Sequence, residues 1–184
     1  MAELIALAKA QPGRLNYGTS GNGSPTHIAA ELLKHLTGIN LVHVPYKGPP
    51  QVLTDLIAGQ IQLAFDVIAT SLPHVKSGKL RALAVSGAKR STILPEMPTV
   101  AETVPDFNVL GWQGFLAPKG TPREIIRQLH REIVTVITLP EVRQRLEELA
   151  YEVVGSSPEQ FAEFMRADTA QSAKVIAGAG IRPD

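Results

Sequence analysis

Leu15-Asn16-Tyr17-Gly18-Thr19-Ser20-Gly21-Asn22-Gly23-Ser24-Pro25-Thr26-His27 reads as a short strand, a glycine-rich loop and the first turn of a helix. The three glycines let the backbone turn sharply and come close to a ligand. Ser24 followed by Pro25 marks a helix start, with Ser as N-cap and Pro at the first helical position. The amides and the positive dipole end of that helix face the loop, an arrangement suited to an anion. Four other helix starts fit the capping box: Thr99 with Glu102, Thr121 with Glu124, Thr138 with Glu141, and Ser157 with Gln160. In each, the acid or amide at the third helical position reaches back to the cap. At the glycine-rich loop that position is His27, so no carboxylate of the helix's own is expected on these amides. A Gly/Ser loop before a helix also fits a plain tight turn.

Outward from this loop, short strands alternate with helices. Helices are expected over residues 2–10, 25–37, 50–58 and 70–77, and strands over 14–18, 41–44, 61–65 and 80–85. Ile28, Ala29, Leu32, Leu33 and Leu36 give the helix over 25–37 an apolar stripe, and Gly38 ends it. The alternation implies βαβ units and a mostly parallel sheet, an α/β fold. Ligands of such sheets bind beyond the carboxyl ends of the strands. The glycine-rich loop, Tyr46-Lys47-Gly48 and Asp66 all follow strands and are expected to line one sheet edge.

The pattern changes after residue 87. Residues 88–108, with Pro95, Pro98 and Pro105, read as a connector holding a short helix. Residues 109–118 read as extended. A helix over 122–137 carries Ile125, Ile126, Leu129, Ile133 and Val136 on one face, a second covers 140–149, and a strand covers 151–154. A last helix over 158–177 is expected to bury Phe161, Phe164, Met165 and Ile176. Two strands and three helices look like part of a sheet domain whose other strands lie elsewhere.

Bulk composition limits the function. The chain has 184 residues, 44% of them hydrophobic, enough for a core. Lys plus Arg number 18 against 17 Asp plus Glu, a net of +1 without runs of like charge. That balance argues against nucleic acid as a partner. Without cysteine there are no disulfides, thiolate metal sites or Cys nucleophile. No apolar run is long enough for a bilayer. Met1-Ala2-Glu3-Leu4 leads straight into an amphipathic helix, so no signal peptide is expected in this chain, which points to the cytoplasm for the chain as expressed.

Several chemistries are weakened by spacing. A dinucleotide fingerprint needs a third glycine where Thr26 stands, and an acid where Pro45 follows Val44. No Gly-Lys-Ser/Thr exists for a phosphate loop. The nucleophile elbow G-x-S-x-G fails because Asn22 holds its last position. Ser20 or Ser24 with His27 forms a candidate hydrolytic pair acting on a carboxylate or phosphate ester, but Ser24 is well explained as a cap and no acid is clearly placed to orient His27. His27, His35, His43, His74 and His130 are scattered along the sequence, so neither a metal nor any other cofactor is expected. Tyr46 and Lys47 suit hydrogen bonding to a carboxylate, and a solvated loop lysine is the alternative. Asp66 suits a ligand hydroxyl or amine, or a helix cap. Trp112 suits packing.

Taken in order, Tyr17–His27, Val44-Pro45-Tyr46-Lys47-Gly48 and Asp55-Leu56-Ile57-Ala58-Gly59-Gln60 resemble the Bug-type receptors, the periplasmic solute-binding proteins of tripartite tricarboxylate transporters. The resemblance continues through Gly78–Val85, Pro95–Glu102 and Gly111–Pro122 and covers essentially the whole chain. It implies a periplasmic-binding-protein-like, Venus-flytrap fold that closes on a small organic carboxylate, with the membrane components of a tripartite transporter as partners. Residues 1–108 correspond to the ligand-binding second domain, and 109–184 to the C-terminal part of the first. Thr19, Ser20, Gly21, Asn22, Gly23, Ser24 and His27 would then form the ligand-binding loop, with Tyr46, Lys47 and Asp66 as further contacts. Family members carry a signal peptide and a first-domain half that supplies an opposing loop. This chain is expected to lack both, which would impair binding. Uncovered sheet edges would favour homo-oligomers, and a non-binding oligomeric remnant is a further reading.

Overall fold

The computed structural model describes residues 1–149 and 151–179. Ala150 and residues 180–184, within the stretch 109–184 expected to be the C-terminal part of the first domain, lie outside the described residues. The fold is α/β with a three-stranded parallel sheet. The chain forms two compact units, Met1–Gly111 together with residues 172–179, and Trp112–Gln171.

In the first unit, helix α1 (Ala2–Ala10) precedes strand β1 (Asn16–Thr19), helix α2 (Pro25–Thr37) and strand β2 (Val42–Pro45). Helix α3 (Pro49–Ile57), strand β3 (Leu63–Ala64) and helix α4 (Ile68–Lys76) follow. The sheet order is β2-β1-β3, so the strand that opens the glycine-rich loop lies at the centre. Gly18 pairs with Val44 on one side and Ala64 on the other. A Cβ at Gly18 would run into the end of the Ile61 side chain and lie 3.0 Å from Val52 Cγ1 of α3, so glycine lets both pack closely over β1. The core is built from Ala8, Leu15, Tyr17, Ala29, Ala30, Leu32, Leu33, Ile39, Leu41, Leu63, Val100, Val104, Phe107 and Val175.

Two expectations for this unit are corrected. Residues 80–85 do not form a strand. Only Val85 pairs, through a single parallel bridge to Thr99, and the Val85 N–H donates to Pro98 O at 2.9 Å. On α2 the expected stripe shifts: Leu36 is exposed, whereas Glu31 and His27 are buried. Buried side chains on a helix face need not be apolar when they find partners, and both do.

The second unit holds helix α5 (Arg123–Ile137), helix α6 (Pro140–Glu148) and the first part of helix α7 (Pro158–Ala179). Residues 109–118 and 151–154 are not strands, and no described residue between Trp112 and Gln171 is buried. Ile125, Leu129 and Val136 are exposed on α5. Phe161, Phe164 and Met165 are only half-buried on α7, as is Ile176 beyond them, and the buried residue of this helix is Val175. A strand exists through its neighbours, and these segments have none among the described residues. What order the unit has comes from local clusters. Trp112 stands edge-on to Phe161 and Phe164, at 5.4 and 5.7 Å, and its Nε1 donates to Asp168.

Candidate functional site

The loop after β1 is held by its own side chains. Ser24 caps α2: its Oγ accepts from the His27 N–H at 3.3 Å, and Pro25 stands at the first helical position. The first turn of α2 contains no acidic residue. Gly23, with φ 70, adopts a backbone angle that L side chains resist. Its N–H donates to His27 Nδ1 at 3.1 Å. His27 therefore reaches back with a ring nitrogen as a carboxylate or amide does in a capping box, but to the residue before the cap rather than to the Ser24 N–H, which goes to Gly21 O.

Three more amides of the loop also have internal partners. Ser20 N–H donates to Thr26 Oγ1 at 3.1 Å, Gly21 N–H to Thr19 Oγ1 at 3.3 Å, and Ser24 N–H to Gly21 O at 3.3 Å. The amides are thus engaged internally, though by no acid of the first turn. The partners are neutral and several bonds are long, so an incoming carboxylate competes on favourable terms, because charge-assisted bonds are roughly twice as strong. The Thr26 hydroxyl is the hub, within 2.9 Å of Ser24 Oγ and 3.3 Å of Ser20 Oγ. Asn22 is exposed at the loop tip.

Beneath the loop lies a polar cluster that the sequence did not reveal. The His27 and His43 rings stack at 4.0 Å, and Tyr17 stacks on His43 at 4.9 Å. His43 Nε2 lies 2.6 Å from Thr19 Oγ1. A hydroxyl has one proton. If Thr19 gives it to His43, a lone pair remains for the Gly21 N–H, and both bonds are satisfied. Glu31 accepts from the Tyr17 hydroxyl and from Lys34 Nζ, the latter at 2.5 Å, and its Oε1 is 3.9 Å from His27 Nε2. Burial pulls His43 down to about 4, helped by the neighbouring His27, and pulls His27 down as well. Burial and the bond to Glu31 push Tyr17 up. Scattered positions in sequence thus become adjacent ones in space for His27 and His43. The register of β1 on β2, which pairs Tyr17 with His43, is the signal that would have found them.

Tyr46 and Lys47 follow β2 beside the loop. The Tyr46 N–H donates to Thr19 O at 3.0 Å, extending the β1–β2 pairing to the loop's edge. Its hydroxyl donates to Asp55 Oδ2 at 2.7 Å, and burial with that bond pushes it up to about 12. Lys47 is exposed, with its N–H donating to Gln51. Asp66 follows β3. It accepts from Thr70 Oγ1 at 2.8 Å and from the Val67 backbone, and burial raises its pKa against these bonds. These contacts tie Asp66 to the start of α4. β1, β2 and β3 run parallel, so the loop, Tyr46-Lys47 and Asp66 follow three adjacent strand ends on one edge of the sheet.

The hydrolytic alternative finds a different arrangement. The His27 nitrogen facing the loop is taken by Gly23, and Ser24 Oγ bonds the His27 backbone and Thr26. Among the described residues no group of three or more potential ligands gathers to hold a metal ion.

Comparison with known proteins supplies the context. Residues 1–181 match the model of the tripartite tricarboxylate transporter family receptor. The UPF0065 protein from the tcbD-tcbE intergenic region of Pseudomonas sp. (strain P51) is 35% identical over 96% of this chain and 53% of that protein. The chain thus spans about half the length of the relatives it matches. An R. palustris protein, Rpa4515, solved with adipate, superposes with a TM-score of 0.90 at 37% identity, covering 100% of this chain and 62% of that one. The periplasmic binding protein BugD superposes at 0.86 with 29% identity, over 100% and 62%. MatC from Rhodopseudomonas palustris, with bound malate, superposes at 0.79 with 27% identity, over 96% and 61%. The chain belongs to the tripartite tricarboxylate transporter receptor family of solute-binding proteins.

Proposed function

We propose that this chain carries the carboxylate-gripping loop of a periplasmic solute receptor, which takes a small organic carboxylate and serves the membrane components of a tripartite transporter. In this reading residues 1–108 form the domain that holds the loop and 109–184 derive from the other domain of the clamshell, with residues 172–179 packing back onto the loop-bearing unit. One observation carries the reading. The strand, glycine-rich loop and Ser-Pro helix start lie on the central strand of the parallel sheet, in a chain that superposes along its whole length on a protein solved with adipate. In parallel sheets this edge is where ligands bind. The helix end offers backbone N–H groups without a competing acid in its first turn.

In this reading one ligand carboxylate takes the amides of Ser20, Gly21 and Gly23 from Thr26, Thr19 and His27, while Ser24, Asn22 and the Thr19 hydroxyl border it. Lys47 draws the anion in through its exposed charge, and Tyr46 and Asp66 flank it on neighbouring strand ends. Catalysis is not required, and His27 supports the loop rather than activating Ser20 or Ser24. Exposed apolar side chains such as Phe115, Leu116 and Val154 favour association of copies, the oligomeric form expected for this chain.

The test is an NMR titration of the full chain with adipate, malate and a neutral diester of adipate. The amides of Ser20, Gly21 and Gly23 should shift with the acids and not with the diester. Lys47→Ala should weaken acid binding by up to about fivefold, the scale of an exposed charge contact. Shifts that are absent, or that fall on other residues, would overturn the assignment.

A further inference from the structure

We propose that His27 is a proton-operated latch on the glycine-rich loop: its neutral ring holds the Gly23 amide, and its protonated ring frees that amide and presents an N–H to a carboxylate in its place. The latch stands on the geometry of the loop. Its link to a carboxylate rests on the receptor reading above.

The Gly23 N–H donates to His27 Nδ1 at 3.1 Å. Nδ1 is therefore the unprotonated nitrogen, and the neutral ring carries its proton on Nε2. Adding a proton converts Nδ1 from acceptor to donor, and the Gly23 N–H loses its partner at that moment. The two donors are then adjacent, the Gly23 N–H and the Nδ1–H that faced it at 3.1 Å. An anion there accepts both.

The surroundings set when this happens. From α2, Glu31 and Lys34 face the ring; from β1, Tyr17; from β2, His43. Glu31 and Lys34 offset one another through their 2.5 Å contact. Tyr17 is neutral and gives its hydroxyl proton to Glu31. His43 is neutral at ordinary pH, because burial pulls it to about 4. Its ring stacks face to face on His27, so the pair tolerates one added charge at most. Glu31 Oε1, 3.9 Å from His27 Nε2, is the nearest countercharge. It is already engaged twice, and burial keeps His27 below its usual pKa.

A carboxylate at the Gly23 amide supplies the missing anion beside Nδ1. It raises the pKa of His27, and by linkage the proton strengthens carboxylate binding. The balance is simple: one proton is taken from solvent per carboxylate bound, and no bond is made or broken covalently. Affinity then rises as pH falls, by at most about tenfold per pH unit for a single proton.

The same chain contains a version of this cap that cannot titrate. At the start of α7, Gln160 Oε1 accepts from the Ser157 N–H at 2.9 Å, while the Gln160 N–H donates to Ser157 Oγ. There the third-position amide satisfies the N–H of the cap residue itself, one residue later than the Gly23 N–H that His27 holds. His27→Gln keeps an acceptor at the third position and removes the proton.

The experiment is NMR on the full chain from pH 8 to pH 5, followed by calorimetry with adipate. Without adipate, the imidazole nitrogens of His27 should report the Nε2–H tautomer at pH 8, and the Gly23 amide should move with the midpoint of His27. In His27→Gln the Gly23 amide should stay fixed over that range. With adipate at pH 7, calorimetry in HEPES and in Tris should reveal net proton uptake, absent in His27→Gln. A His27 Nδ1–H tautomer, a Gly23 amide indifferent to His27, or adipate binding without proton uptake would each overturn the latch. If Gly23 follows His27 but adipate binds nowhere, the latch is supported and the receptor reading falls.

Discussion

Glu31 is a buried carboxylate on the inward face of α2, and it is tolerated because the Tyr17 hydroxyl and Lys34 both donate to it. Removing one donor strands part of that charge, so Tyr17→Phe should destabilise the fold by about 1–3 kcal/mol in urea unfolding. His43 gives the cluster a pH signature. Its ring charges near 6.5 in the unfolded chain but only near 4 when folded. As pH falls through 6.5 the unfolded chain therefore binds a proton first, and stability is lost progressively down to about 4. The full difference would be worth about 3 kcal/mol, and solvent screening of the partly exposed ring leaves a fraction of that. His27 shifts in the same direction and adds to the slope. Urea unfolding between pH 8 and 4 should show the decline, and His43→Gln should flatten it. A flat wild-type profile would contradict a neutral His27–His43 pair. The sequence exposed the glycines, the cap and His27 of this site. It hid Glu31, whose polar character broke the expected apolar stripe, and His43, which reaches Thr19 only through strand register.

At the scale of elements, α2 depends on one residue at its start and one at its centre. Ser24→Ala removes the acceptor for the His27 N–H and should cost about 1 kcal/mol. Leu33→Ala empties a fully buried position and should cost about 2–5 kcal/mol. Thermal or urea unfolding of both variants checks the ranking. Helix ends were legible where a cap hydroxyl had no other use. The boxes at Thr99 with Glu102 and at Ser157 with Gln160 form as expected. The other two do not. The Thr121 hydroxyl donates to Pro118 O, and the Thr138 hydroxyl to Val134 O and Thr135 O in the helix before it. In both cases the chain enters the next helix one residue later, capped by Pro122 or Leu139 without a side-chain bond. Strands were legible only where partners lie within the described chain. β1 to β3 pair with one another, whereas residues 80–85 and 151–154 have strand-forming sequence and no ladder to join.

At the scale of the whole molecule, the two units differ in how much they bury. The core lies in the unit that contains the glycine-rich loop, while Trp112–Gln171 leaves Phe115, Leu116 and Val154 more than two-thirds exposed. Such surface favours self-association. Light scattering should give a mass above the 19.8 kDa of one chain, and a monomer at every concentration would contradict it. Under the proposed function, the loop of the central strand grips a small carboxylate. The measurement that bears on this most directly is the adipate titration followed at the amides of Ser20, Gly21 and Gly23. Saturable shifts at these three, lost with the neutral diester, are the result expected. Silence at all three, with adipate and malate alike, would contradict it.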